Sequence, residues 1–283
     1  MANSYSSSLL TEKLEQAATT ILSDCLAPLA AFTKGFGVDT YKPRAKVELK
    51  FVTATDATQK NPSSFESGDS TVGNVQITVD QYSQPFHVSN DELNSGLRLQ
   101  DLAEKNARTF GESLLDVVFA LLTTSNFATI LTRASAAFSY SDMATSWGAL
   151  KKSSVKVAIL DGEYMSRLIN APFFYQPTDT KGGSGFKAFG WDALHPCSRW
   201  SAAEINTRGL FCNPQAIGLV AGLPMRSPSP TLETKTITLA GLELSVALNT
   251  WFSLATRSFW ASYDVMLGAA ALDKSAGFLL KSA

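Results

Sequence analysis

The chain has 283 residues, enough to bury one large core or two intimate ones without disulfide or metal staples. A formal net charge of -1 and a pI near 6.2 exclude a globally basic nucleic-acid binder, leaving only weak, local contact with DNA. Charged residues are 17% of the chain against 45% hydrophobic, a low charge content that fits a protein hiding surface against partners, because interface centres are depleted in charge.

Three widely spaced cysteines, Cys25, Cys197 and Cys212, argue against a disulfide framework and for a reducing compartment, each thiol acting as a small buried hydrophobe. The opening MANSYSSS lacks the basic stretch of a signal peptide. The longest uncharged runs, such as 117–132, are too short and polar to span a bilayer, so a soluble protein with no membrane contact is expected.

Residues 8–27 place Leu10, Leu14, Ala17, Ala18, Ile21, Leu22 and Cys25 on one helical stripe, which Pro28 is expected to end or kink. Val47, Leu49 and Phe51 alternate as a strand. Between Thr53 and Asn74, only Phe65 and Val72 are large and apolar. A structureless loop of that length is uncommon inside a domain, so a long hairpin reaching away from the subunit is expected.

The stretch VQITVDQYSQPFHVSNDEL, 75–93, buries odd positions first (Val75, Ile77, Val79) and even ones later (Phe86, Val88). A turn or bulge near Gln81 to Pro85 is expected to reset the register. His87 then faces away from what Phe86 and Val88 pack on, as a solvated or interface residue; it has no neighbouring nucleophile or metal ligand.

A long amphipathic helix is expected from about Leu99 to Thr124, with Leu102, Ala103, Ala107, Phe110, Leu114 and Val118 on its apolar face. Beyond Phe127 the pattern is mixed: a helix 142–152 capped by Ser141, a strand 155–160, a helix GEYMSRLIN capped by Asp161, and a loop-rich stretch 171–211. GLFC then reads as a strand and PQAIGLVAGL as a short helix, before several alternating strands complete the sequence.

Three constellations are candidates for chemistry. TKGGSGF lacks the Lys-Ser or Lys-Thr of a phosphate loop, and Phe186 stands where a nucleophile elbow needs glycine. His195-Pro196-Cys197 with Cys212 is half a metal site without a CxxC or a second histidine near it. Asp91 and Glu92 sit at a helix start, where they complement the dipole. No catalytic residue, metal or cofactor is expected.

The order of parts resembles the major capsid proteins of tailed bacteriophages, with the Hong Kong 97-like fold. On that resemblance, 1–43 is an N-terminal arm, 44–74 an extended E-loop, and 75–129 the P-domain strand and spine helix. VKVAILDGEYMSRLIN and LFCNPQAIGLVAGLP fall in an A-domain over 130–235, and 236–283 returns to the P-domain as strands. The fold class implied is α+β.

The resemblance implies a structural protein, not an enzyme, which self-assembles through hexamers and pentamers into an icosahedral shell around double-stranded DNA. The implied partners are further copies of the chain, a separate scaffolding protein, a portal, optionally a decoration protein, and packaged DNA held by weak non-specific contact. The implied location is the virion, after assembly in the host cytoplasm. Because the first helix begins by about residue 8, no long scaffolding segment is expected ahead of it. Lys60, Phe65, Glu66 and Asp69 of the E-loop, and Lys42, Arg44 and Lys46 of the arm, are the expected intersubunit contacts.

Some members of this family join a loop Lys to a neighbour's Asn with a Glu as base. Lys60 is placed for it, and Asn249 with Glu243 is one of several pairs, but Lys60 has polar, solvated neighbours and no cross-link is expected. Two other classes remain: an encapsulin-type bacterial compartment shell, which shares the fold, and a cytosolic α/β hydrolase with its serine in an unrecognised motif.

Overall fold

The computed structural model describes residues 7–41, 43–55, 70–89, 99–150, 155–169, 190–214, 216–225, 233–239, 242 and 244–283. The elements are α1 (Ser7–Phe32), β1 (Thr33–Tyr41), β2 (Ala45–Thr55), β3 (Ser70–Ser89), α2 (Leu99–Phe119), β4 (Ile130–Thr132), α3 (Tyr140–Ala149), β5 (Val157–Asp161) and α4 (Gly162–Ile169). They continue as β6 (Ala193–Cys197), β7 (Thr207–Cys212), β8 (Ile217–Pro224), β9 (Glu233–Leu239), β10 (Leu244–Ser253), β11 (Ser258–Ala271) and β12 (Gly277–Lys281).

The strands form two sheets. The larger runs β1-β8-β11-β10-β9, with β3 paired to β11 and β2 paired to β3; the smaller runs β4-β12-β7-β5-β6. The helices α1 and α2 share one core with both sheets: Leu14, Leu22 and Leu29 of α1 meet Phe110, Leu114 and Val118 of α2, Tyr263 and Val265 of β11, and Ile159 of β5. The other face of the smaller sheet buries Leu160, Phe211 and Phe278 against Met143 of α3 and Tyr164 and Leu168 of α4.

The stretch expected as an arm is folded onto its own subunit over 7–41. Leu14, Ala18, Leu22, Leu26, Leu29 and Phe32 recur at helical spacing and are fully buried. The helix runs through Pro28 to Phe32, and the Thr33 hydroxyl donates to the Leu29 carbonyl at 2.7 Å. Next, β1 pairs in parallel with β8. Where α1 crosses α2, a β-carbon on Gly111 would sit 3.2 Å from the Cβ and Sγ of Cys25, so glycine sets the close approach of the helices.

The long helix α2 is shorter than expected. Its apolar face is as read, but it closes at Phe119, where Leu121 and Leu122 donate to the carbonyls of Val118 and Phe119 in tighter turns. At 1.5 Å per residue it is about 32 Å long. The cap of α3 also shifts, to Ser139, because Asp142 at N3 accepts from the Ser139 amide at 3.0 Å and completes a capping box.

Among the described residues of PQAIGLVAGL there is no helix; from Ile217 the stretch belongs to β8. Ile217, Leu219, Val220 and Ala221 are all buried because the strand lies between β1 and β11 with both faces covered. A strand buried on both faces loses its alternation and cannot be told from a buried helix by period. Of the last strands, β11 pairs β3, whereas β12 joins the smaller sheet between β4 and β7.

Candidate assembly surfaces

The root of the hairpin explains the phase change in 75–89. β3 is one unbroken strand, and its pairing with β11 runs without a shift from Asp80↔Leu267 to Ser89↔Ser258, so the expected bulge near Gln81 to Pro85 does not exist. The covered face changes instead. Ile77 and Val79 pack with Leu49, Val220, Met266 and Leu272 on one side of the sheet. Phe86, packed on Tyr263 with ring centroids 5.4 Å apart, belongs to the core on the other side.

From Val79 outward β3 pairs with β2, Ala45↔Val79 through Thr55↔Ser70, which is the stem of the expected hairpin. The tip, including Lys60, Phe65, Glu66 and Asp69, lies outside the described residues, as does Lys42. Arg44 and Lys46 are exposed at the base of this ladder. Arg44 has φ 64, a left-handed conformation that turns the chain into β2, and its amide donates to the Val79 carbonyl at 2.8 Å. Lys46, Glu48 and Lys50 follow on the exposed face, with the Asn74 amide on Glu48.

His87 is exposed and stacks on Trp260 across the β3–β11 ladder, ring centroids 4.5 Å apart. Trp260 in turn stacks on Trp251 of β10 at 6.0 Å. Phe252, 46% exposed, lies on the opposite face of β10 from Trp251, and Leu254, 84% exposed, follows in the β10–β11 turn. The two tryptophans and Leu254 were not singled out from sequence. The available signal was the alternation of FWAS, which puts Trp260 on the opposite face from Phe259 and Ala261.

Farther along that face, Asp264 accepts from the Asn249 amide and from the Ser262 hydroxyl at 2.7 Å, while the Thr234 hydroxyl donates to the Asn249 carbonyl at 2.7 Å. Asn249 is therefore buried with its side chain engaged at both ends; Glu243 lies outside the described residues.

His195 and Cys197 lie on β6 and Cys212 on β7, with β5 between them. Burial pushes the His195 pKa down and the Cys197 and Cys212 thiols up, which disfavours imidazolium and thiolate alike. Burial, and then the nearby Glu112, raises Cys25 in the same direction. Among the described residues, no group of three or more His, Cys, Asp or Glu is placed to hold a metal, and no helix is long and apolar enough to cross a membrane.

Two ties fix α2 to the smaller sheet. Arg199, just after β6, meets Glu112 at 3.4 Å and also pairs with Asp116 of α2. Glu204 meets Lys281 of β12 at 2.8 Å and accepts from the Thr124 hydroxyl beyond the end of α2 at 3.3 Å.

No protein-family model matches the sequence, and no curated protein does. Solved structures do match. The capsid of cyanophage P-SCSP1u is similar at TM-score 0.54 and 12% identity, over 89% of this chain and 86% of that one. The virus-like particle of Pyrococcus furiosus is similar at 0.60 and 11%, over 95% and 98%. The mature capsid of bacteriophage PhiM1 is similar at 0.56 and 10%, over 90% and 86%. The fold is that of the Hong Kong 97-like capsid proteins.

Proposed function

We propose that the chain is the major capsid protein of a tailed bacteriophage, assembling through hexamers and pentamers into an icosahedral shell around double-stranded DNA. The observation that carries this reading is the β2–β3 ladder, which leaves the larger sheet beside the spine in a chain matched over most of its length by phage capsids. Such a stem buries its own root and has a long outer half to lay over a neighbour.

In this reading Lys60, Phe65, Glu66 and Asp69 meet the neighbouring subunit, and Lys42, Arg44 and Lys46 pack under an adjacent one. Repeated contacts of modest affinity then close by multivalency. The role is structural and needs no catalytic group. Scaffolding, portal and decoration proteins are separate chains, and the shell forms in the host cytoplasm before becoming part of the virion.

Electron microscopy of the purified protein is expected to show capsomers or closed particles. A stable monomer in sedimentation, across salt and protein concentration, defeats the proposal. DNA in the co-purified material supports a phage shell, whereas a cargo enzyme assigns the particle to a bacterial compartment. Deleting residues 56–69 is expected to leave a folded subunit that no longer closes shells.

A further inference from the structure

A sheet edge is a row of unpaired backbone donors and acceptors, and proteins guard edges with short strands, prolines, bulges or charges. Among the described residues, nearly every edge of this fold carries such a device. β4 has three residues, β6 contains Pro196, and the half of β3 that pairs with β11 contains Pro85. The register of β1 breaks between Gly35 and Val38. β2 presents Lys46, Glu48 and Lys50 and breaks between Val52 and Ala54.

β9 is the exception. Its seven residues, ETKTITL, pair with β10 in unbroken register from Glu233↔Thr250 to Leu239↔Leu244, and no described strand pairs with its other side. It has no proline, and its single cation, Lys235, is drawn away to Glu15 of α1 at 3.0 Å. Ile237 and Leu239 are buried in the core, while Thr236 and Thr238 are exposed on the opposite face.

We propose that β9 is a joint between two copies of this chain, paired antiparallel across a two-fold axis at Thr236. The occupant is a second copy because the strand is complementary to itself. With Thr236 on the axis, all seven residues overlap, Thr234 of each copy faces Thr238 of the other, and Lys235 faces Ile237. Cross-strand threonine pairs stabilise a sheet, and no like charges stand opposite one another. Moving the axis to Lys235 would set lysine against lysine, and other positions shorten the overlap. The joint does not require the shell to be icosahedral or to hold DNA.

The test is thiol cross-linking at native concentration with copper phenanthroline, which takes two electrons from the facing thiols as they lose two protons and form one disulfide. T236C is expected to give at least tenfold more covalent dimer than either the parent chain or T234C, whose thiol faces a threonine. The double variant T234C/T238C is expected to recover the dimer. No dimer from T236C, or equal dimer from T234C, overturns the joint.

Amide hydrogen exchange on the unmodified protein is the second measurement. Residues 233–239 should exchange at least tenfold more slowly when concentrated than when dilute, and unchanged exchange again overturns it. Particles that form without this cross-link sink the joint and leave the capsid reading standing; the cross-link without particles does the reverse.

Discussion

A β-carbon added to Gly268 would lie 2.5 Å from the carbonyl oxygen of Thr78 and 2.7 Å from the Cγ2 of Ile77. Gly268 follows Leu267, the last β11 residue paired with β3, so the contact marks where β3 parts from the larger sheet and continues with β2. The obstacle is backbone, which cannot rotate away as a side chain would. Gly268→Ala should destabilise the subunit by about 1–3 kcal/mol, the usual cost of overpacking. It should also misdirect the hairpin, so that chemical denaturation shows the loss and microscopy shows fewer closed particles. Unchanged stability and yield would show that the crossing gives way freely.

Phe110 tests how the spine is held. Its ring is buried, 6.1 Å from the ring of Tyr263 on β11. Burial of a phenol disfavours its charged form, and the Tyr263 pKa is accordingly raised. Phe110→Ala should cost about 3–5 kcal/mol in equilibrium unfolding, through lost transfer energy and the cavity left behind. A cost below about 1 kcal/mol would mean that α2 docks mainly through its neighbours.

Glu204 gives a pH dependence with a definite sign. The Lys281 ammonium, and after it the Thr124 amide, hold the Glu204 carboxyl below its usual range. A carboxylate favoured in the folded state contributes stability above its unfolded pKa, about 4.3, and loses it as pH falls through the lower folded value. Glu204→Gln should therefore melt below the parent at pH 7 and converge with it near pH 3. A gap independent of pH would make the tie one of shape, not charge.

Covalent joining of subunits is not expected. Asn249 is buried with its amide on Asp264 and its carbonyl taken by Thr234, so it offers no free carboxamide to a neighbour's amine. Boiling mature particles in SDS should return a single band at 30.4 kDa. A ladder of multimers that vanishes in Lys60→Ala would show the loop to be reactive.

His87, the stem of the hairpin and the apolar face of the spine were legible because each rests on periodicity against a single covered surface. Where two surfaces compete, periodicity misleads. The switch of buried parity in β3 looked like a bulge, since a sequence shows which positions are apolar but not that Val79 and Phe86 face different cores. β8 looked helical for a related reason, being covered on both faces. The end of the spine was missed because Leu121 and Leu122 keep the apolar pattern while the backbone tightens. The row from His87 to Trp251 needs the cross-strand register of β3, β11 and β10, which no local pattern contains.

The pairing of the larger sheet has a kinetic consequence. Thr33 meets Ile217 and Val88 meets Phe259, so the sheet is stitched from segments far apart along the chain. Loop closure must be achieved before such contacts reward it, and topologies dominated by them fold slowly. During synthesis α1, the hairpin and the spine emerge well before β8 and β11. Until those strands arrive, β3 has no β11 to pair with and the apolar side of α2 has no sheet beneath it. Aggregation at that stage, not instability of the finished subunit, is the expected limit on recombinant yield, and slower translation or added chaperone is the remedy that follows.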